Sequence, residues 1–390
     1  MPSPPHSSPA DLVCFSHLRW DFVYQRPQHL MSRFAEVRRV HYVEEPVFQA
    51  GAHPHLSVTS RRCGVKVVVP VLPDDLDERA AVDRQRALLQ DYVAGSCAVA
   101  PTFWFVTPTA FAFSPNDRAG VVIYDCMDEL TAFDGAPPAL LFNEKQLFAR
   151  ADLVFTGGRA LYEAKRALHP HVRCFPSSID QAHFRRARAY RQDALRPAVA
   201  ESKPSMRVGY SGVVDERMDL ELLADVADAR PDFQFVIVGP VVKIDAGKLP
   251  RRSNIRFDGM RSYGELPELM SEWDVAIMPF AHNAATRYIS PTKTPEYLAA
   301  GLPVVSTGIH DVVRRYGNAG LVHIAEGAEA FAEAIDEAGA SRDDATRLIA
   351  VDALLGEESW ETTWASMAAL ERAVQKQPDS GVTDRVGDGR

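Results

Sequence analysis

The sequence has no uninterrupted apolar run of the roughly 18 residues that a membrane-crossing helix needs, so no such helix is expected. Cysteine is scarce. Cys14, Cys63, Cys97, Cys126 and Cys174 are widely spread, with no CxxC pair and no histidine nearby at metal-ligand spacing. An odd, scattered set argues against a disulfide framework and for small buried thiols in a reducing compartment. A positive excess is missing as well. With 43 Lys and Arg against 52 Asp and Glu, the formal charge is −9, which argues against a general nucleic-acid binder but leaves room for a local basic cleft. The opening Met-Pro-Ser-Pro-Pro-His has no basic stretch leading into an apolar run, so no leader peptide is expected and the chain reads as cytoplasmic.

What is present is ordinary globular material, 46% hydrophobic and 24% charged, over 390 residues. That length exceeds a single core and suggests two or three domains. Short apolar runs alternate with amphipathic stretches, the signature of parallel strands with crossover helices. Strands are expected at 12–15, 40–43, 65–71, 102–106, 121–124, 153–155 and 172–175, then at 207–210, 233–238, 255–257, 275–278, 303–305 and 321–324. The pattern predicts an α/β protein made of two Rossmann-like, doubly wound domains, over 11–184 and 207–359. The Arg- and Ala-rich stretch 185–206 reads as the connection between them, and a solvated surface helix is an alternative that fits alongside it. An amphipathic helix at 360–374 is placed to pack back on the first domain, and the polar ends 1–10 and 376–390 read as disordered. Two such sheets face to face leave a cleft between their C-terminal edges, where ligands of open α/β sheets bind.

The most informative segment is Arg287-Tyr-Ile-Ser-Pro-Thr-Lys-Thr-Pro-Glu-Tyr-Leu-Ala-Ala-Gly-Leu-Pro-Val-Val305. It reads as a polar loop containing Ser290, then a helix capped by Thr292 or Thr294 with Pro295 in its first turn. Gly301 ends that helix, and Pro303 opens a buried strand. A helix N-terminus offers free N–H groups and positive partial charge to a diphosphate. Lys293 adds a cation there, and Glu296 offers an acceptor-only carboxylate suited to the two hydroxyls of a ribose.

These residues resemble the GT-B glycosyltransferases, in particular the family 4 group, whose second domain carries Glu-x-Leu-Ala-x-Gly-x-Pro-Val-Val. Glu296 falls on the ribose-binding glutamate. Where many members have a second glutamate eight residues earlier, this chain has Tyr288. The run Ser-Pro-x-Lys-x-x-Glu-Tyr, which includes Tyr297, is similar to a subgroup from polysaccharide and teichuronic-acid-type biosynthesis. Tyr210-Ser-Gly212 with Arg217 resembles the family's phosphate loop, and Gly259-Met-Arg-Ser-Tyr263 its base-contacting loop. The resemblance implies a nucleotide-sugar donor, by default a uridine diphosphate sugar, as substrate and no further cofactor. It also implies that Arg217, Lys293 and Arg287 neutralise the leaving diphosphate without a metal. The one Asp-x-Asp spacing, Asp75-Leu-Asp77, reads as a solvated helix start.

The acceptor is expected on the first domain. In Ser16-His-Leu-Arg-Trp-Asp-Phe-Val-Tyr-Gln-Arg-Pro-Gln28, His17, Gln25, Arg26 and Gln28 suit sugar hydroxyls or an acceptor phosphate. Alternatively, Arg26-Pro-Gln28 simply caps the helix that follows. Tyr124-Asp-Cys-Met-Asp128 ends an apolar strand at the cleft edge. An inverting transferase needs a base for the acceptor hydroxyl; Asp128 is the first candidate and Asp125 the second. A retaining one needs none, and the resemblance leans that way, which leaves the stereochemistry open; alternatively, Asp128 caps the next helix. A glycan or lipid-linked acceptor is expected, the latter met peripherally at the inner face of the membrane. An epimerase or hydrolase of the nucleotide sugar, or a noncatalytic nucleotide-sugar binder, are the alternatives.

Overall fold

The computed structural model describes residues 9–194, 205–356 and 358–375. The expected disorder at 1–8 and 376–390, and the part of the expected connection over 195–204, lie outside the described residues.

The first unit holds a nine-stranded sheet. Its strands are β1 (Leu12–Phe15), β2 (Val40–Val43), β3 (Val47–Phe48), β4 (His55–Ser60), β5 (Lys66–Leu72), β6 (Thr102–Phe105), β7 (Val121–Cys126), β8 (Leu153–Thr156) and β9 (Val172–Cys174). They run in the order β3-β5-β2-β1-β6-β7-β8-β9, parallel throughout except for β4, which pairs antiparallel with β5 along its outer side. The central strands are buried on both faces, which is why they read as unbroken apolar runs. Helices α1 (Arg26–Ala35), α2 (Glu78–Ser96), α3 (Pro138–Arg150) and α4 (Arg159–Lys165) cover the faces. Asp77 does start α2, its carboxylate accepting the backbone N–H of Ala80 at 2.7 Å. The β3 and β4 segments are not among the expected strands. His55-Leu-Ser-Val-Thr-Ser60 is a polar, mostly exposed edge strand and lacks the buried apolar face that announces a central one.

The chain crosses to the second unit through α5 (Gln181–Ala194). Residues 185–194, expected to be connection, are helix, and α5 packs on α7 (Leu266–Ser271) and α8 (Lys293–Ala299). Phe184 and Ala187 sit in the second unit's core beside Trp273 and Tyr297. Its arginines serve a local purpose: Arg191 donates to the carbonyls of Met270, Ser271 and Trp273, and Arg188 to those of Leu298 and Ala299. Each caps the carbonyl end of a helix.

The second sheet has six parallel strands in the order β12-β11-β10-β13-β14-β15. They are β10 (Arg207–Ser211), β11 (Gln234–Val238), β12 (Ile255–Gly259), β13 (Val275–Met278), β14 (Val304–Ser306) and β15 (Val322–Ile324). Helices α6 (Leu220–Ala229), α9 (His310–Val312), α10 (Ala328–Ala340) and α11 (Ala345–Leu355) complete this unit. The last helix, α12 (Trp360–Gln375), packs on α1 and β7, back on the first unit. Trp360 stacks on His29 at 4.7 Å, and Arg38 pairs with Glu371 at 2.6 Å, both about 3% exposed. Among the described residues no helix is long and apolar enough to cross a membrane.

Candidate active site in the cleft between the sheets

The C-terminal ends of the two sheets face each other across a cleft of about 430 Å³. On the second unit's side, Gly212 leaves β10 with φ +152° and Gly239 leaves β11 with φ +145°. A Cβ on Gly239 would meet the carbonyl oxygen of Gly212 at 1.9 Å, so the two exits can lie this close only as glycines. Over this bare backbone lies Lys293, its ammonium 5.6 Å from the Tyr210 ring and 6.0 Å from that of Phe280.

Thr292 is the N-cap of α8, but neither it nor Thr294 caps with its side chain; the Thr294 hydroxyl faces the Met278 sulfur instead. The backbone donors at this end therefore stay available toward the cleft. Lys293 and Glu296 both line the cleft, one turn apart. Burial lowers the pKa of Lys293, and Arg217 adds to the effect; burial raises that of Glu296, with Lys293 opposing. Both remain partly open to cleft water.

Arg217 forks the carboxylate of Asp215 at 2.6–3.1 Å. Its guanidinium stands 5.5 Å from the Phe133 ring of the first unit, and the ammonium of Lys243 is 5.4 Å from the same ring. Phe133 and Lys243 were not among the sequence candidates. Nothing local in the sequence marks Lys243, whose positive φ of 62° turns its loop into the interface.

On the first unit's side, Asp128 lines the cleft. Burial raises its pKa, and Arg217 works against the shift. Its carboxylate takes no hydrogen bond from the described residues. Asp125, three residues earlier, is committed elsewhere: Arg26 donates to both of its oxygens at 2.7–3.1 Å, and the pair is 2% and 1% exposed. Arg26 also donates to the carbonyl of Phe175, and the Trp104 indole to Asp125. Asp125 is thus a structural anion with no path to an acceptor.

Gln25, Arg26, Gly212, Arg217, Tyr263, Ser290, Thr292, Lys293 and Glu296 also line the cleft. Gln28 does not; it is buried, accepting from the backbone N–H of Gln25 and donating to the carbonyl of Trp20, which is the helix-start role weighed above. His17 lies behind the wall, partly buried near Lys243; burial brings its pKa down to about 4. Arg287 is exposed, its guanidinium over the ring of its neighbour Tyr288. Tyr288 packs against the first unit's core. Tyr297 is fully buried, its hydroxyl accepting the N–H of Ser211 at 2.8 Å, so it buckles α8 to the end of β10 beneath the site.

Tyr263 lies in an aromatic cluster, stacked on His183 at 4.2 Å with Tyr24 at 4.8 Å from across the cleft. Beside them Trp20, Phe22 and Tyr24 line the first unit's side. The aromatic loop was in plain view in the sequence, but its partner on Tyr263 lies 239 residues on and could not be guessed from spacing.

Residues 207–340 match the family described as "Glycosyl transferases group 1". The putative teichuronic acid biosynthesis glycosyltransferase TuaH of Bacillus subtilis (strain 168) is 28% identical over 222 residues, 53% of this chain. That match spans 55% of the relative's length. Sucrose-phosphate synthase from Thermosynechococcus elongatus has a similar structure, with TM-score 0.72 at 15% identity over 93% of this chain and 98% of that one. Anabaena Alr3699/HepE, solved with UDP and glucose, gives 0.63 at 13% identity over 93% and 99%. The structure of trehalose-6-phosphate from E. coli bound with UDP-2-fluoro glucose gives 0.63 at 13% identity over 94% and 99%. The chain is built on the GT-B fold, and the match to the group 1 glycosyltransferases lies in its second unit.

Proposed function

We propose that the protein transfers a sugar from a uridine diphosphate sugar to a glycan, lipid-linked or small-molecule acceptor, in the synthesis of surface polysaccharide or another glycoconjugate. The observation that carries this reading is the convergence of Lys293 and Arg217 on backbone kept bare by Gly212 and Gly239, with Glu296 one turn beyond. Two cations and exposed N–H groups suit a diphosphate. Charge grows on that diphosphate as the sugar leaves, so both cations act more on the transition state than on the bound donor. Glu296 then accepts from the ribose diol, and the backbone of Met260–Ser262 contacts the base. Asp128, held at a raised pKa across the cleft, is the base that takes the acceptor's hydroxyl proton. A lipid-linked acceptor would bring the protein to a membrane surface without its crossing.

The uridine nucleotide is supported by the two similar structures solved with UDP or a UDP-sugar analogue. Calorimetry with UDP tests the donor site: Glu296→Ala should weaken binding on the order of tenfold or more while the circular dichroism spectrum stays unchanged. Equal affinity in the variant would remove the assignment. Turnover of donor with and without acceptor separates transfer from hydrolysis or epimerisation, which would proceed at the same rate without acceptor.

A further inference from the structure

At the other end of the first sheet, away from the cleft, three side chains with no part in the proposed reaction converge. Asp11 immediately precedes β1, His41 is the second residue of β2, and Cys97 caps the C-terminus of α2. One ligand atom from each lies within 4.8 Å of the others. His41 is fully enclosed. Its Nδ1 is 2.8 Å from the Tyr92 hydroxyl, whereas Nε2, buried as well, has no partner among the described residues. An imidazole nitrogen buried without a partner is costly to the fold unless something else binds it.

We propose that Asp11, His41 and Cys97 form a binding site for one divalent cation of zinc-like chemistry. A thiol, an imidazole and a carboxylate are the donor set of a borderline-soft ion, where magnesium or calcium would take oxygens alone. With one nitrogen of His41 on the ion, the other donates to Tyr92, the outer partner that ligating histidines commonly have. Bonds of 2.0–2.3 Å set tetrahedral ligands about 3.5 Å apart, so the three groups draw together by roughly an ångström on binding. The Cys97 thiol gives up its proton to solvent as the sulfur–metal bond forms, and the thiolate and Asp11 together balance the 2+ charge. Arg39 now forks Asp11 at 2.7–2.9 Å, but it is 55% exposed and can swing into water. Cys97, only partly buried, lies on the open side and gives the ion its way in. The bound ion would join β1, β2 and the end of α2, far from the transfer chemistry.

The test uses the full chain, stripped with chelator and titrated with zinc or cobalt. Native mass spectrometry should count one ion per chain, the melting temperature should rise by several degrees, and cobalt should give a sulfur-to-metal charge-transfer band. Cys97→Ser should abolish the band and weaken binding on the order of 100-fold. Tyr92→Phe should keep the band and weaken binding about tenfold. Cys63→Ser, which removes an exposed thiol, should behave as the parent. No stoichiometric binding to the folded parent, or a band that survives in Cys97→Ser, would overturn the proposal. So would a band lost in Cys63→Ser.

Discussion

Lys293 lies across Gly212 so closely that a methyl group on that glycine would meet its Cε at 2.0 Å and its Nζ at 2.6 Å. The contact ties the loop after β10 to the first turn of α8, and it depends on a residue without a side chain. Gly212→Ala should therefore push the ammonium off the phosphate position while leaving every ionisable group in place. Losing one charge-assisted contact of about 1.5–3 kcal/mol corresponds to roughly 10- to 100-fold weaker UDP binding. Calorimetry reads it directly, and an unchanged affinity would detach Lys293 from the donor.

Burial lowers the pKa of Lys293, so its charge is lost at a lower pH than that of a free lysine. The diphosphate binds the protonated form. Donor affinity should then fall as pH rises through the alkaline range, starting below the ordinary lysine value, and bound diphosphate should pull the midpoint upward. Lys293→Met should bind more weakly and lose this alkaline limb. A parent whose affinity is flat to pH 10 would contradict the role.

The doubly wound architecture was legible because buried parallel strands are apolar on both faces, as in Val121-Val-Ile-Tyr124 and Val275-Ala-Ile-Met278. That Gly212, Lys293 and Glu296 share one wall of the cleft was legible for a related reason: they lie in or beside short local motifs that carry their geometry with them. The pairing of Arg26 with Asp125 was not, since the two are 99 residues apart and each alone resembles a cleft residue. Nor was the fate of Arg287 and Tyr297. Arg287 lies in the turn before α8, and which face of α8 carries Tyr297 depends on where the helix starts, a boundary that sequence fixes only to within a residue or two. Helix α5 was obscured because its arginines read as solvated, whereas two of them, Arg188 and Arg191, cap neighbouring helices.

The Arg26–Asp125 pair is buried and fully bonded, so removing one partner strands the other charge. Asp125→Ala should cost on the order of 3–5 kcal/mol in denaturant unfolding. Replacing both residues with apolar side chains should recover much of that loss. If Asp125 were a base, the double variant would be stable but inactive; as a structural anion it should retain turnover.

Asp128 makes a separable prediction. Its folded pKa is raised, so its contribution to stability is greatest below the ordinary carboxylate value and is lost as pH rises through the raised one. At neutral pH the ionised group strains the fold in return for reactivity. Asp128→Asn should therefore abolish transfer, spare UDP binding and raise the melting temperature at pH 7, with the gain vanishing toward pH 3. Retained transfer would dismiss Asp128 as the base.

Closure of the two units rests on a contact beside the cleft. The carboxylate of Asp311, on α9, accepts the backbone N–H of Arg159 at 2.7 Å and of Ala160 at 3.0 Å, at the start of α4 in the other unit. Ser177 donates across the same seam to the carbonyl of Ser290 at 2.8 Å, and Arg314 reaches Glu163 at 3.1 Å. The approach is so close that a Cβ on Gly158 would meet the Asp311 carboxylate at 2.5 Å and the Ser290 Cβ at 2.7 Å. Asp311→Ala removes two charge-assisted bonds, and Gly158→Ala wedges the seam apart while leaving the carboxylate present. Loss of about 1.5–3 kcal/mol of closing energy shifts an open–closed balance by roughly 10- to 100-fold. Both variants should show a larger radius of gyration by solution scattering and a higher KM for donor, with melting of each unit little changed. Because the two substitutions break the contact by opposite means, agreement between them identifies the seam itself as the cause; an unchanged radius in both would mean that closure is held elsewhere.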